Sequence, residues 1–185
     1  EGNFSELALG RLRLHLAGDR PVSQALYLGL LRHLDGFPLQ TLGSDGLPII
    51  GGEGQVMSLR LPSNEIRPVG FSEDEAMIPY PLNTFRGYRH LQEYFAFPDK
   101  YLFVEVGGLD VLNRLPVDVL KQVHGLALRF NLRGRGLERM MPTLDNVKLY
   151  CTPIVNLFKH DGVPIRLDGT QDEYLLLPGE YARDN

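Results

Sequence analysis

The sequence predicts an α+β fold: strand-rich, sandwich-like sheets with two main helices. Three observations carry this. Leucines alternate with polar or small residues in 11–16 and again in 126–132, the period of half-buried strands. Apolar residues recur at helical spacing in 23–34 and in 84–97. The 20 glycines and 13 prolines mark more turns than a helical bundle needs. With 185 residues, 43% of them hydrophobic, the chain is long enough for one substantial core or two small ones.

In chain order, Arg11, Arg13 and His15 face away from Leu12, Leu14 and Leu16 in the first strand. Asp19, Arg20 and Pro21 read as a turn, after which Ser23 caps a helix running to Leu34, with Leu26, Tyr27, Leu30, Leu31 and Leu34 on its apolar side. Gly36 and Pro38 close that helix. Residues 42–54 read as a long loop or short hairpin, 56–61 as a second strand, and 62–81 as a surface segment in which Glu73, Asp74 and Glu75 sit near Val69 and Phe71. Thr84 is placed to cap a second helix in which Tyr88, Leu91 and Phe95 share a face, and Pro98 with Asp99 stops it. The chain then re-emerges as a strand, Leu102, Val104 and Val106 against Tyr101, Phe103 and Glu105. Five aromatics between Phe85 and Phe97 favour burial, either in the core or in a core that also forms a partner interface. Residues 107–116 are the weakest point for a subdomain division. Beyond them lie the strand at 126–132, which echoes the first and hints at two related halves, and shorter strands at 147–150, 164–167 and 173–177.

Composition narrows the chemistry. A formal charge of −4 disfavours nucleic-acid binding, which needs concentrated basic surface. The lone Cys151 cannot form an internal disulfide, which points to a reducing compartment, and its apolar setting in KLYCTPIV predicts a buried thiol rather than a nucleophile. No run of about 18 uncharged apolar residues spans a membrane and no signal-peptide pattern opens the chain. The first residues, EGNF, and the last, EYARDN, read as cuts in a longer polypeptide. His15, His33, His90, His124 and His160 lack paired ligand spacing, so no metal and no cofactor is expected. Ser23, Ser58 and Ser72 have no nucleophile-elbow context, and the adjacent carboxylates Asp74 and Glu75, like Asp172 and Glu173, offer no general-acid pair. Gly51, Gly52 and Gly54 read as a turn, since no lysine with serine or threonine follows as in a phosphate loop. Arg129, Arg133, Arg135 and Arg139 form the only basic concentration, a polar loop or an electrostatic contact with a protein partner.

The segment FRGYRHLQEYFAFPDKYLFVEVGGL, residues 85–109, closely resembles the characteristic middle segment of the TssF family, also called VasA or ImpG, of the bacterial type VI secretion system baseplate. VGFSEDEAMIPYP at 69–81 and LYCTPIVNLFKHDGVPIRLD at 149–168 resemble flanking family segments in the same order. The chain departs from that pattern at Gly169, where the family leads one to expect histidine, and in its extended 132–145 loop.

The resemblance implies a non-enzymatic wedge component of a contractile, phage-like baseplate. Its implied partners are a TssG-like subunit, a second TssF copy, TssE and TssK, with the central hub and contractile sheath reached indirectly. Its implied location is cytoplasmic, in a baseplate docked at the inner-membrane complex. Arg86, Gly87, Tyr88, Leu91, Glu93, Tyr94, Phe95 and Phe97 match the middle segment; Cys151, Thr152, Pro153, Asn156, Leu157 and Phe158 match the later one. The resemblance gives them no catalytic role, only fold support or wedge contacts. Two other classes stay open on the residues alone. A hydrolase-like domain would set His90 or His124 beside a carboxylate in a concave pocket. A carbohydrate-binding or adhesin-like sandwich would expose aromatics on an open sheet face.

Overall fold

Alternating leucines place β1 (Leu12–Leu16) inside a four-stranded antiparallel sheet in the computed structural model, which describes residues 9–51, 54–80, 85–133 and 141–179. The sheet order is β4 (Ile66–Pro68), β5 (Phe103–Val106), β1, β7 (Val147–Lys148). Leu14 and Leu16 turn inward with Val104 and Val106 of β5 and Ile66 of β4. On the opposite face Arg13 sits across from Glu105, and Arg11 reaches the same carboxylate at 3.1 Å. The polar side of the leucine alternation is therefore a cross-strand charge ladder.

Helix α1 (Arg20–Arg32) starts three residues earlier than its periodicity predicts. Pro21 does not end a turn there; it occupies the first helical turn, where its missing N–H has no intrahelical partner to lose. Ser23 accordingly lies inside the helix, fully buried, its hydroxyl donating to the Arg20 carbonyl. The chain enters through Gly18, whose φ of 91° is a conformation L side chains rarely adopt and whose missing Cβ leaves room for the Asn146 side chain. Asn146 Nδ2 donates to the Ala17 carbonyl at 3.0 Å, fastening β7's approach to the end of β1.

A second antiparallel sheet, β3 (Ser58–Leu61), β2 (Phe37–Leu42), β6 (Gly125–Leu128), has as its central member a strand absent from the sequence prediction. In the sequence Pro38 reads only as a stop for the preceding helix, and a proline removes a ladder donor. Its position explains the tolerance: Pro38 lies just past the last β2–β6 pair, Leu39 with Leu128, and its carbonyl still accepts from Arg129 N–H at 3.2 Å. Phe37 and Leu39 alternate inward and join Leu61, Leu26, Leu30, Leu34 and the first sheet's residues in one core cluster. Past β2 the described residues 43–51 and 54–57 double back twice, with Ile49 N–H on the Thr41 carbonyl and Met57 N–H on that of Ile49.

Other boundaries also move. Within the surface segment, residues 66–68 form the edge strand β4, anchored by buried Ile66. Tyr101 lies in a 3₁₀ turn, Pro98–Tyr101, so β5 begins only at Phe103. The two echoing leucine strands, β1 and β6, belong to different sheets, and β6 ends at Leu128, leaving Leu132 a single bridge to Leu34. Strand β7 stops at Lys148, because Tyr150 adopts a φ of 60° that breaks the extended backbone.

Two units divide the chain, Glu1–Pro153 and Ile154–Asn185, and residues 107–116 lie inside the first. In the second unit the expected strands at 164–167 and 173–177 are not ladders. Its described segments meet at one bridge, Gly162 with Pro178, supported by Val163 N–H on the Leu177 carbonyl and Gly179 N–H on that of Asp161. Alternation makes a segment extended, but a strand also needs a neighbour to bond.

Phe37, with no exposed surface, should behave as a core residue: Phe37→Ala is expected to lose about 3–5 kcal/mol in denaturant unfolding, from lost transfer energy and the cavity left behind.

Candidate functional site: an aromatic helix face over a buried ion pair

Helix α2 (Gly87–Ala96) has the predicted periodicity with the opposite facing. At about 100° per residue, Arg89 and Glu93 share one side and Tyr88, Leu91 and Phe95 lie roughly across from them. The charged pair is inside. Arg89 and Glu93 are the buried residues of the helix, whereas Tyr88, Leu91, Tyr94 and Phe95 are exposed, Phe95 to 81%. Phe85 and Phe97, which flank the helix, are exposed as well. The expectation that this aromatic block fills the core is thus corrected, for Phe95 above all. The expected cap, Thr84, lies outside the described residues, and Arg86 occupies the N-cap position.

Buried polar groups hold the inner side. The Lys100 ammonium, arriving from the turn after the helix, forms an ion pair with Glu93 Oε2, both side chains being about 1–2% exposed. Glu93 Oε1 accepts the N–H groups of Met77 at 2.8 Å and Ile78 at 3.2 Å. Tyr101 Oη donates to the His90 carbonyl at 3.2 Å and lies 3.4 Å from Glu93 Oε2. Arg89 donates to the carbonyls of Ser72 and Glu73. Each of these buried charges has polar partners close by, the condition under which buried charge is tolerated. Burial works to raise the Glu93 pKa, but the bonds from Lys100, Met77 and Ile78 outweigh it, and the carboxyl titrates below its ordinary range. The same burial, with the Glu93 charge beside it, pushes Tyr101 up to about 12.

This network also shapes the outer surface. Residues 70–80 are strapped to α2 by Arg89 and Glu93 and to β1 by Glu75, which accepts Gly70 N–H at 2.6 Å and pairs with Arg13 at 3.1 Å. The strap sets Phe71 against Tyr101, ring centroids 4.9 Å apart, and against His90 at 5.9 Å. Between α1 and α2 a groove of about 430 Å³ opens, lined by Tyr27, Phe71, His90, Leu91, Tyr94 and Tyr101, with Arg20 and Asp99 also on its walls. Phe71 and His90 line a second hollow of about 460 Å³ as well, with Met77, Ile78 and Arg86. Arg86 pairs with Glu73 on the surface.

The other expected residues are dispersed. Gly87 opens α2, partly exposed. Arg133 is exposed, its N–H bonded to the His33 carbonyl at 2.9 Å; Arg135 and Arg139 lie outside the described residues. Cys151 is exposed, not buried, beyond the point where β7 ends, with Sγ 3.5 Å from the Leu149 carbonyl. Thr152 is exposed and Pro153 partly so, at the end of the first unit; Asn156, Leu157 and Phe158 are exposed in the second. Sequence reasoning missed Phe71, Tyr27 and Tyr101 as groove walls and Lys100 as Glu93's partner. The available signal was Arg89 and Glu93 at i,i+4 with Lys100 one turn beyond the helix.

His90 Nδ1 faces Tyr101 Oη at 3.4 Å and His124 Nδ1 faces the Gln122 carbonyl at 3.0 Å. Among the described residues no ion pair involves a histidine, and no three His, Cys, Asp or Glu side chains gather as a metal site. No helix among them is long and apolar enough to cross a membrane. What the described geometry does offer is an exposed aromatic contact surface on α2.

Residues 1–185 match the family model described as "Type VI secretion system, TssF". The chain belongs to the TssF family. It is 33% identical over 174 residues to the type VI secretion system component TssF1 of Pseudomonas aeruginosa strain PAO1, a match covering 92% of this chain and 25% of that protein. A chain of the TssK-TssF-TssG baseplate subcomplex, solved by cryo-electron microscopy, superimposes with a TM-score of 0.63 at 30% identity over 97% of this chain and 31% of its own length. This TssF chain therefore spans about a quarter of the curated relative's length.

Removing either partner of the Glu93–Lys100 pair strands a buried charge, so Glu93→Ala and Lys100→Ala should each cost about 3–5 kcal/mol, and the double variant less than their sum in chemical denaturation. Because Glu93 titrates lower folded than unfolded, its contribution is complete above the ordinary glutamate value of about 4.3 and disappears as pH falls through the depressed folded value. Stability profiles between about pH 2 and 6 should fall less steeply on that acid limb for Glu93→Gln than for the parent.

Proposed function

We propose that this chain is a structural piece of a type VI secretion baseplate wedge, and that the outer face of α2 is a contact through which it holds other subunits. One observation carries this. Both formally charged residues of α2 point inward and its exposed face is Tyr88, Leu91, Gln92, Tyr94 and Phe95, an uncharged aromatic surface. Aromatic side chains with polar tips are the composition of protein interface centres, whereas a nucleic-acid or anionic-lipid surface calls for exposed basic residues. Family membership supplies the assembly. The solved TssK-TssF-TssG subcomplex makes the TssG-like and TssK subunits the partners proposed first. A second TssF copy, TssE, the hub and the sheath follow from the wedge reading, as does a baseplate docked at the inner-membrane complex.

The role is scaffolding, not catalysis. Tyr88, Leu91, Tyr94, Phe95 and Phe97 act as desolvated anchors, Glu93 orients them from inside, and Arg133 with Arg135 and Arg139 contributes orientation and salt-sensitive association. In the second unit Phe158 and Leu157 are exposed apolar side chains of their own. Among the described residues neither His90 nor His124 forms an ion pair with a carboxylate, the contact the hydrolase reading calls for; Tyr101 Oη stands between His90 Nδ1 and Glu93 Oε2.

In the full-length protein, Tyr94→Glu with Phe95→Glu should weaken association with the TssG-like and TssK subunits by at least about thirtyfold, the loss of a hot spot worth about 2 kcal/mol. Phe95→Ala alone should shift unfolding stability by no more than about 0.5 kcal/mol, as for an exposed site. Reversal of Arg133 and Arg135 should reduce binding at low salt more than at physiological salt. Titration by light scattering or interferometry checks the two binding predictions, and denaturant unfolding checks the stability of Phe95→Ala. Unchanged affinity for the aromatic pair would remove α2 from the interface, and failure of the unmodified protein to bind any baseplate subunit would reject the assembly.

A further inference from the structure

The second unit exposes apolar surface of a different kind from α2. Ile154, Leu167, Leu175 and Leu176 are each at least 77% exposed, and Leu157 and Phe158 more than half. These are mainly aliphatic side chains, which fill permanent cores and are under-represented among the anchors of separable interfaces. Their backbone is also half-finished. Val163 N–H donates to the Leu177 carbonyl at 2.9 Å and Gly179 N–H to that of Asp161 at 2.8 Å, so residues 161–163 and 177–179 begin an antiparallel hairpin. With Leu177 and Gly179 bonded inward, strand alternation turns the Leu176 peptide groups outward.

The tip is already ordered. Asp168 Oδ1 accepts from the Thr170 N–H at 3.0 Å, the Thr170 hydroxyl at 2.7 Å and the Tyr174 hydroxyl at 3.0 Å. Yet residues 174–177, Tyr-Leu-Leu-Leu, carry no charge and no proline, so the devices that keep a free sheet edge from pairing are confined to the flanking Glu173 and Pro178. A lone two-stranded hairpin is marginal in water, and this one lacks a packed face.

We propose that the hairpin at 161–179 is one part of a composite sheet, completed by an extended, apolar segment of the same full-length TssF polypeptide lying outside these 185 residues. The occupant is intrachain for two reasons on the molecule itself: its surface is aliphatic like a domain core, and the chain spans 25% of the curated relative's length, leaving most of such a polypeptide to cover it. The inference is independent of the baseplate partners proposed for α2.

Backbone hydrogen exchange on the full-length protein tests it, alone and with TssG-like and TssK subunits added. In the protein alone, residues 174–179 should exchange at least about a hundredfold slower than an unstructured chain. Leu176→Asp should abolish that protection in 161–165 and 174–179 while β5 stays protected. Leu176→Thr, which keeps strand propensity but shortens the apolar side chain, should reduce it in the same direction should the aspartate variant not fold. Free exchange in the unmodified protein alone would overturn the proposal, and so would protection that arises only when another subunit is added, which would give the edge to that subunit.

Discussion

The ion pair between Glu93 and Lys100 fixes which way α2 faces. A helix with Arg89 and Glu93 on one side and Tyr88, Leu91 and Phe95 on the other has two amphipathic solutions, and apolar burial alone favours the aromatic side inward. Leaving Phe95 in water forgoes up to about 1.5–3 kcal/mol, and the roughly half-exposed Leu91 and Tyr88 forgo part of such a gain. The fold takes the other solution because Lys100, Met77, Ile78 and Tyr101 converge on the Glu93 carboxylate, and the Ser72 and Glu73 carbonyls on Arg89. Such a buried pair adds little net stability over an apolar replacement, but a misoriented helix would strand both charges. Its effect is specificity of orientation. The aromatic surface left outside retains a burial free energy that only another surface can realise, which is the physical link from this pair to the proposed subunit contact.

The same network reaches the sheet. Residues 70–80 cross from α2 to β1, gripped by Arg89 and Glu93 at one end and by Glu75 with Arg13 at the other. Arg13 in turn lies opposite Glu105, which pairs with Arg11. The groove wall Phe71 is carried on this strap, so its ring cannot shift far without disturbing hydrogen bonds anchored in the core sheet. Contacts meant to hold subunits in fixed geometry benefit from such support, since a preordered surface loses less entropy on docking.

Much of this architecture is legible in the sequence, and its omissions have definite causes. The α+β class, the leucine face of β1, the apolar side of α1 and the inward valines of β5 follow from periodicity, because in each case the apolar side is the buried side. Strand β2 was hidden by Pro38, whose harm depends on where its N–H would have pointed, a fact of register rather than composition. Strand β4 was hidden by brevity: one inward residue, Ile66, makes no pattern. In α2 the period was legible and the sign was not, since hydrophobicity alone ranks two faces and cannot know that Lys100 waits across from Glu93. Cys151 fails the same way, an apolar local sequence lying where no core covers it.

Exposed apolar groups therefore carry two distinct meanings in this chain. On α2 they are aromatic, tyrosine-rich and mounted on a helix whose inner side is held by buried polar bonds, a finished element. At 175–177 they are leucines on a segment outside any strand ladder, its backbone bonding among the described residues limited to the Leu177 carbonyl, an unfinished element. A finished element loses only its partner when left alone and keeps its shape, so its surface suits association between separately folded subunits. An unfinished strand has few internal bonds to hold it extended, so what covers it must be present as the sheet forms, and a segment of the same chain meets that condition at the highest effective concentration.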